Sequence, residues 1–186
     1  MNGEEKIALT FDDGPDDGNS EKILAILEEH SVKAAFFMVG EQVKKYPKVA
    51  ERIASRGHLI GNHSLTHGSL RKLSPGEIEK ELSITQQIIA DVTGVSPKIM
   101  RPPMGRVSFR VVEIAKRLGL KTVMWTKSAK DYKMRGVDSI LKRLNSKNIK
   151  VGDIILCHDK YEDTANALPE ILRDLKSNGY YFGLLN

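Results

Sequence analysis

Lys6-Ile7-Ala8-Leu9-Thr10-Phe11-Asp12-Asp13-Gly14-Pro15 is an apolar run that ends on two adjacent carboxylates and a Gly-Pro turn. The run reads as a buried strand and the turn signal stops it. Two carboxylates held side by side repel unless a proton or a cation compensates. A metal ion is the natural compensator, because a strand-end Asp-Asp with no helix N-terminus immediately behind it has little structural purpose. Three later segments supply what such a pair needs: Asn62-His63-Ser64-Leu65-Thr66-His67, Arg101-Pro102-Pro103-Met104-Gly105-Arg106 and Leu156-Cys157-His158-Asp159.

Outward from this stretch, strand and helix signals alternate. A helix is expected to open near Asn19 or Ser20, with Ile23, Leu24 and Leu27 on one face, followed by a strand over Lys33 to Val39 and a helix over Pro47 to Arg56 that stops at Gly57. His58 to Gly61 reads as a third strand. Ser74-Pro75-Gly76-Glu77 has the form of a capping box that opens a long helix running to Gly94. Strands over Lys98 to Arg101, Lys121 to Trp125, Asp153 to Cys157 and Tyr180 to Leu185 complete the set. Helices are expected over Ser108 to Leu118 and Val137 to Leu144, and around the stripe Leu168, Ile171, Leu172, Leu175. About seven apolar strands without strict alternation imply a parallel sheet covered on both faces, either a barrel or an open sheet. In such folds the site lies at the carboxyl ends of the strands. Asp12, Asp13, His63, His67, Arg101 and His158 all fall there and should converge.

The chain has 186 residues, 40% of them hydrophobic and 28% charged, which suits one domain spanning residues 1–186 with a full core. No tract reads as disorder or as a linker. The formal charge of +5 comes from scattered basic residues without a nucleic-acid-binding signature, so no nucleic-acid partner is expected, although an anionic wall polymer would suit a basic protein. The single cysteine, Cys157, excludes an intramolecular disulfide and a cysteine metal cluster. No apolar run reaches the length of a membrane span, and Met1 to Lys6 lacks the pattern of a signal peptide. Because the first strand begins almost at Met1, removal of a leader or anchor is the expectation.

His63 and His67, four residues apart, would place both imidazoles on one face of a helical turn. With one carboxylate of the Asp12-Asp13 pair they make three protein ligands and leave open positions, as metal catalysis requires. Zinc is the first choice, and cobalt, nickel or manganese would also accept oxygen and imidazole ligands. The other carboxylate is left to take a proton from an attacking water, and His158 is the candidate general acid. Together these point to a metal-dependent hydrolase.

These motifs resemble those of the polysaccharide deacetylases of the NodB homology domain, carbohydrate esterase family 4. Thr10 to Pro15 resembles the first motif, His63 to His67 the second, Arg101 to Gly105 the third and Leu156-Cys157-His158 the fifth. The resemblance implies a distorted (β/α) barrel with about seven strands. It makes Asp12 the catalytic base, paired with Arg101, and Asp13 the metal ligand beside His63 and His67. His158 becomes the acid, held by Asp131. The Met104 backbone N–H would face the oxyanion, Leu156 would line the acetyl pocket, and Pro103 and Tyr132 would contact substrate. Tyr132 stands where tryptophan is usual, Met104 where tyrosine is common and Ser128 where a further aspartate is common, departures that bear on substrate choice. The implied reaction is removal of N-acetyl groups from a GlcNAc-containing polysaccharide, chitin oligomers or peptidoglycan, outside the cell or at its wall. Alternatives are an acetylxylan esterase, a small-amide hydrolase on the same fold, and an inactive carbohydrate-binding relative.

Overall fold

In the computed structural model, residues 6–133 and 136–185 are described; the N-terminal stretch weighed above as a signal peptide lies, apart from Lys6, outside them. Eight strands are all parallel where they pair: β1 (Lys6–Asp12), β2 (Ala35–Met38), β3 (Leu59–Asn62), β4 (Ile99–Met100), β5 (Lys121–Thr122), β6 (Lys127–Ser128), β7 (Ile154–His158) and β8 (Tyr181–Phe182). Among the described residues, seven α-helices intervene: α1 (Asn19–Glu29), α2 (Gly40–Lys45), α3 (Pro47–Ser55), α4 (Pro75–Thr93), α5 (Phe109–Arg117), α6 (Val137–Arg143) and α7 (Glu162–Ser177).

The ladder runs β5-β4-β3-β2-β1-β7-β6, with β8 beside the start of β1. Its two outer members, β5 and β6, are successive parts of one segment. Residues 121–128 pair first with β4 and then, past four intervening residues, with β7. That change of partner bends the sheet round into a distorted α/β barrel. The expected strand over Lys121 to Trp125 is therefore two short ladders. Lys127 and Ser128 escaped the sequence reading because two half-buried polar residues have no strand pattern.

Period-two alternation decides what faces the barrel interior. On β1, Ile7, Leu9 and Phe11 join the main core with Ile23, Leu24 and Leu27 of α1 and Leu168, Ile171 and Leu172 of α7. Thr10 and Asp12 point the other way, inward. On β2, Phe36 and Met38 face the helices, whereas Ala35 and Phe37 meet Ile99 and Val123 inside. On β7, Ile155 and Cys157 face outward, leaving Leu156 and His158 inside. The alternation is hidden in the sequence because both faces of each strand are dry. Gly61 is required by this interior, since a Cβ there would lie 2.4 Å from the Phe37 ring.

Local signals hold where they are self-contained. The Ser74 hydroxyl accepts from the Glu77 N–H while the Glu77 carboxylate accepts from the Ser74 N–H, and α4 ends at left-handed Gly94. Such a cap is worth roughly 0.5–2 kcal/mol. Helix α2 was not expected, having only Gly40 and Val43 buried.

Candidate active site

Strand register places Asp12 opposite both Phe37 of β2 and His158 of β7. The side chain of Arg101, fully buried just past β4, reaches across the interior to Asp12. Its Nη1 donates to Asp12 Oδ1 at 2.7 Å and to Thr10 Oγ1 at 2.9 Å. Nε and Nη2 donate to the carbonyls of Val123 and Met124 at 3.2 and 3.3 Å, within the stretch where residues 121–128 change ladder partner. The guanidinium also lies 4.1 Å from the centroid of the Phe37 ring. Asp12 Oδ1 is thereby occupied, and Oδ2 is left toward the cavity, 3.7 Å from His63 Nε2.

Asp13 leaves the strand with φ 79°, a left-handed conformation that turns its carboxylate toward the second motif. Asp13 Oδ1 lies 2.9 Å from His67 Nε2 and 3.4 Å from His63 Nε2. The expected helical turn over His63 to His67 is absent. The segment is a bend in which Ser64 and His67 both have positive φ. Side chains hold it: Ser64 N–H donates to Asn62 Oδ1, His67 N–H to Ser64 Oγ, and the Leu65 and Thr66 N–H groups to the Glu81 carboxylate. A His-x-x-x-His spacing is satisfied by this bend as well as by a helix, and the imidazoles sit 5.0 Å apart between ring centroids.

Asp13, His63 and His67 offer three ligand atoms within 4.8 Å of one another. Two further observations fit this set to a divalent cation. The Arg101 carbonyl, 2.7 Å from His63 Nδ1, can only accept, so Nδ1 carries the proton and the Nε2 lone pair faces Asp13. Asp13 Oδ1 is buried, and among the described residues its only near neighbours are the ring nitrogens of His63 and His67, with no other donor turned on it. Acceptors turned on one point call for a cation between them. Burial alone would push the Asp13 carboxyl up, but contacts with His63 and His67 and the charge of His158 hold it well below the usual range. The other oxygen, Oδ2, is taken by Lys160 Nζ at 2.8 Å.

His158 closes the opposite wall. Asp131 Oδ1 accepts from His158 Nδ1 at 2.7 Å and from the Tyr132 N–H, and Oδ2 accepts from the His158 N–H and from Thr164 Oγ1, both at 2.7 Å. Burial lowers the imidazole pKa; the bond to Asp131 and the charges of Asp131, Asp13 and Asp12 outweigh it and raise the pKa above the ordinary value. Tyr132 and Tyr161 set their ring edges against His158, at 5.4 and 5.8 Å between centroids.

These groups surround a cavity of about 290 Å³, floored by Leu156 and flanked by Met104 and Trp125. Met104 is exposed and left-handed, with φ 57°. Its neighbour Gly105, φ 64°, carries the indole of Trp125 so closely that a Cβ would sit 2.5 Å from it. Pro103 is buried below this turn and does not line the cavity. Arg101 and Asp131 stand behind Asp12 and His158, not in the cavity wall. Lys160, Tyr161 and Trp125 line the cavity but were not among the residues expected from sequence. For Lys160 the signal is its place two residues after His158, which continues the β7 strand end toward the mouth.

Residues 1–123 match the family model described as polysaccharide deacetylase. The chain belongs to that family. It is 38% identical over 177 residues to the peptidoglycan-N-acetylglucosamine deacetylase PgdA of Listeria monocytogenes, covering 95% of this chain and 37% of that one. It is 35% identical over 187 residues to the peptidoglycan-N-acetylmuramic acid deacetylase PdaA of Bacillus subtilis, covering 96% and 69%. Among solved structures, the Bc1960 peptidoglycan N-acetylglucosamine deacetylase superposes with a TM-score of 0.93 at 35% identity, over 98% of this chain and 86% of that one. BA3943 of Bacillus anthracis, a family 4 carbohydrate esterase pseudoenzyme, superposes with a TM-score of 0.92 at 33% identity, over 98% and 64%. The chain thus spans little more than a third of the length of the Listeria protein.

Proposed function

We propose that this domain is a metal-dependent hydrolase that removes N-acetyl groups from a GlcNAc-containing polysaccharide, with peptidoglycan the first substrate to test and chitin oligomers the second. The observation that carries the reading is the division of labour between adjacent aspartates: Asp12 is committed to Arg101, Asp13 to two histidines. The deacetylase names of the relatives support the substrate class and support work at the cell wall.

A divalent cation held by Asp13, His63 and His67, zinc by preference, supplies Lewis-acid polarisation of the acetamide. The chain does the rest. Asp12 Oδ2, free because Arg101 holds Oδ1, accepts the proton of the attacking water. Arg101 pins that carboxylate through a buried ion pair. Leu156 receives the acetyl methyl, and the Met104 N–H faces the developing oxyanion. His158 is locked by Asp131 with Nδ1–H donating, so Nε2 carries the second proton toward the cavity and passes it to the departing amine. Acetate and a free amino sugar result.

The test is acetate release from peptidoglycan, a chitin oligomer and acetylxylan, with and without a chelator. Release from the first two that is lost on chelation and restored by zinc is expected, and Asp12→Asn should abolish it while metal content stays at one ion. Preference for acetylxylan would make the domain an esterase. Binding of GlcNAc oligomers with no acetate from any substrate would place it with the inactive relatives.

A further inference from the structure

Trp125 is a wall between two cavities. It lines the active-site cavity and also a second cavity of about 440 Å³ lined by Lys127, Lys130, Lys142 and Arg143, with no carboxylate in its wall among the described residues. The four cations come from two separate segments. Lys127 and Lys130 lie on β6 and the bend after it, where Lys130 takes φ 53°. Lys142 and Arg143 occupy the last turn of α6, where the helix dipole favours cations. That dipole accounts for the second pair and not for the first.

Some basic side chains elsewhere on the surface meet carboxylates, as Lys22 meets Glu162, Arg52 meets Glu21 and Arg56 meets Glu28; what sets this cavity apart is that four cations gather around one concavity. Among the described residues, none of the four cations around this cavity has an ion-pair partner. Arg143 goes further. Among the described residues its Nε is buried and makes no hydrogen bond, a desolvated donor left unanswered. Four mutually repelling cations around one concavity, one with a desolvated and unanswered donor, are complementary to an anion.

We propose that this cavity is a subsite for a carboxylate carried by the glycan strand, such as the lactyl or stem-peptide carboxylate of a muramic acid residue, bound on the far side of Trp125 from the reacting N-acetyl group. The assignment rests on the polysaccharide reading given above. It makes the domain favour anionic wall glycan over neutral chitin through binding, with the chemistry untouched.

Trp125 is the only tryptophan in the chain, so its fluorescence reports ligands at either face. With the full chain, titration with muramyl dipeptide should shift the emission, and Lys142→Gln/Arg143→Gln should weaken that binding about tenfold while the affinity for neutral chitotriose stays within twofold. Lys127→Gln/Lys130→Gln, on the other segment, should act in the same direction and guards against misfolding of the first variant. Raising salt from about 50 to 500 mM should weaken the muramyl ligand and not chitotriose. Equal loss for both ligands, or none for either, overturns the proposal. Glycerol phosphate displacing the muramyl ligand at equal or lower concentration overturns its assignment to a glycan carboxylate. Absence of acetate release would sink the proposed function, whereas the binding readings would still decide the subsite.

Discussion

Arg101→Met should be among the most damaging single substitutions in the chain, through folding before chemistry. The side chain is fully buried and its guanidinium serves four acceptors: Asp12 Oδ1, Thr10 Oγ1 and the carbonyls of Val123 and Met124. Methionine fills most of the volume and answers none of them. Removing one partner of a buried ion pair costs roughly 3–5 kcal/mol, chiefly from the charge left behind. For a domain of this size each kcal/mol moves the melting temperature by about 2–4 °C, so a fall of roughly 6–20 °C is expected. Asp12→Asn added to Arg101→Met removes the stranded charge and should recover at least about 1.5 kcal/mol, although two backbone carbonyls stay unanswered. Calorimetry and urea unfolding of the four proteins of this cycle, all stripped of metal by chelator so that ligand binding does not enter, give the coupling directly. A cost below about 1 kcal/mol for Arg101→Met, or a double variant no more stable than the single one, would show that the stranded charge is not the cause.

Asp131→Asn removes the anion that raises the His158 pKa, so the basic limb of the acetate-release profile should move to lower pH. The sign follows because the acid works while protonated; any stability drawn from the raised pKa is likewise present at low pH and lost as pH rises through the folded value. A limb unchanged in Asp131→Asn would mean that another group sets it. Asp159 is buried with Oδ2 accepting from Ser20 Oγ and, among the described residues, Oδ1 without a partner, and burial pushes its carboxyl up to about 7. Its contribution is therefore most favourable below the ordinary carboxyl value of 3.8 and is lost up to pH 7, by at most about 4 kcal/mol. Asp159→Asn, with chelator present, should gain stability relative to wild type between pH 4 and pH 8 in urea unfolding, and parallel curves would refute this. Gly105→Ala places a Cβ against the Trp125 indole at positive φ, costing at least about 1–2 kcal/mol and altering Trp125 fluorescence; an unchanged spectrum would show that the indole does not rest there.

The strand ends were legible because an apolar run followed by turn chemistry is a local signal, and β1, β3 and β7 each deliver site residues where that signal stops. Asp12, Asp13, His63, His67, Arg101, His158, Met104, Tyr132 and Leu156 come together around one centre, with Asp131 behind His158. What escaped depends on contacts between distant segments. Lys160 acquires meaning only beside Asp13, and Arg101 bonds to Val123 and Met124 only because residues 121–128 change partner there. The bend over His63 to His67 could not be told from a helical turn, because its shape is set by Asn62 and Glu81 and not by the histidines.

The clasp that Arg101 forms between Asp12 and the carbonyls of Val123 and Met124 also separates two kinds of inheritance. A descendant of this domain that no longer hydrolysed anything would still suffer in folding if it lost either Arg101 or Asp12 alone, so selection for solubility would keep both. The triad proposed to hold the metal is tied to the fold more loosely, Asp13 through Lys160 and His63 through the Arg101 carbonyl. The Arg101–Asp12 pair therefore serves closure of the barrel whatever the domain does, and Asp13, His63 and His67 would be the better marker of the proposed hydrolase.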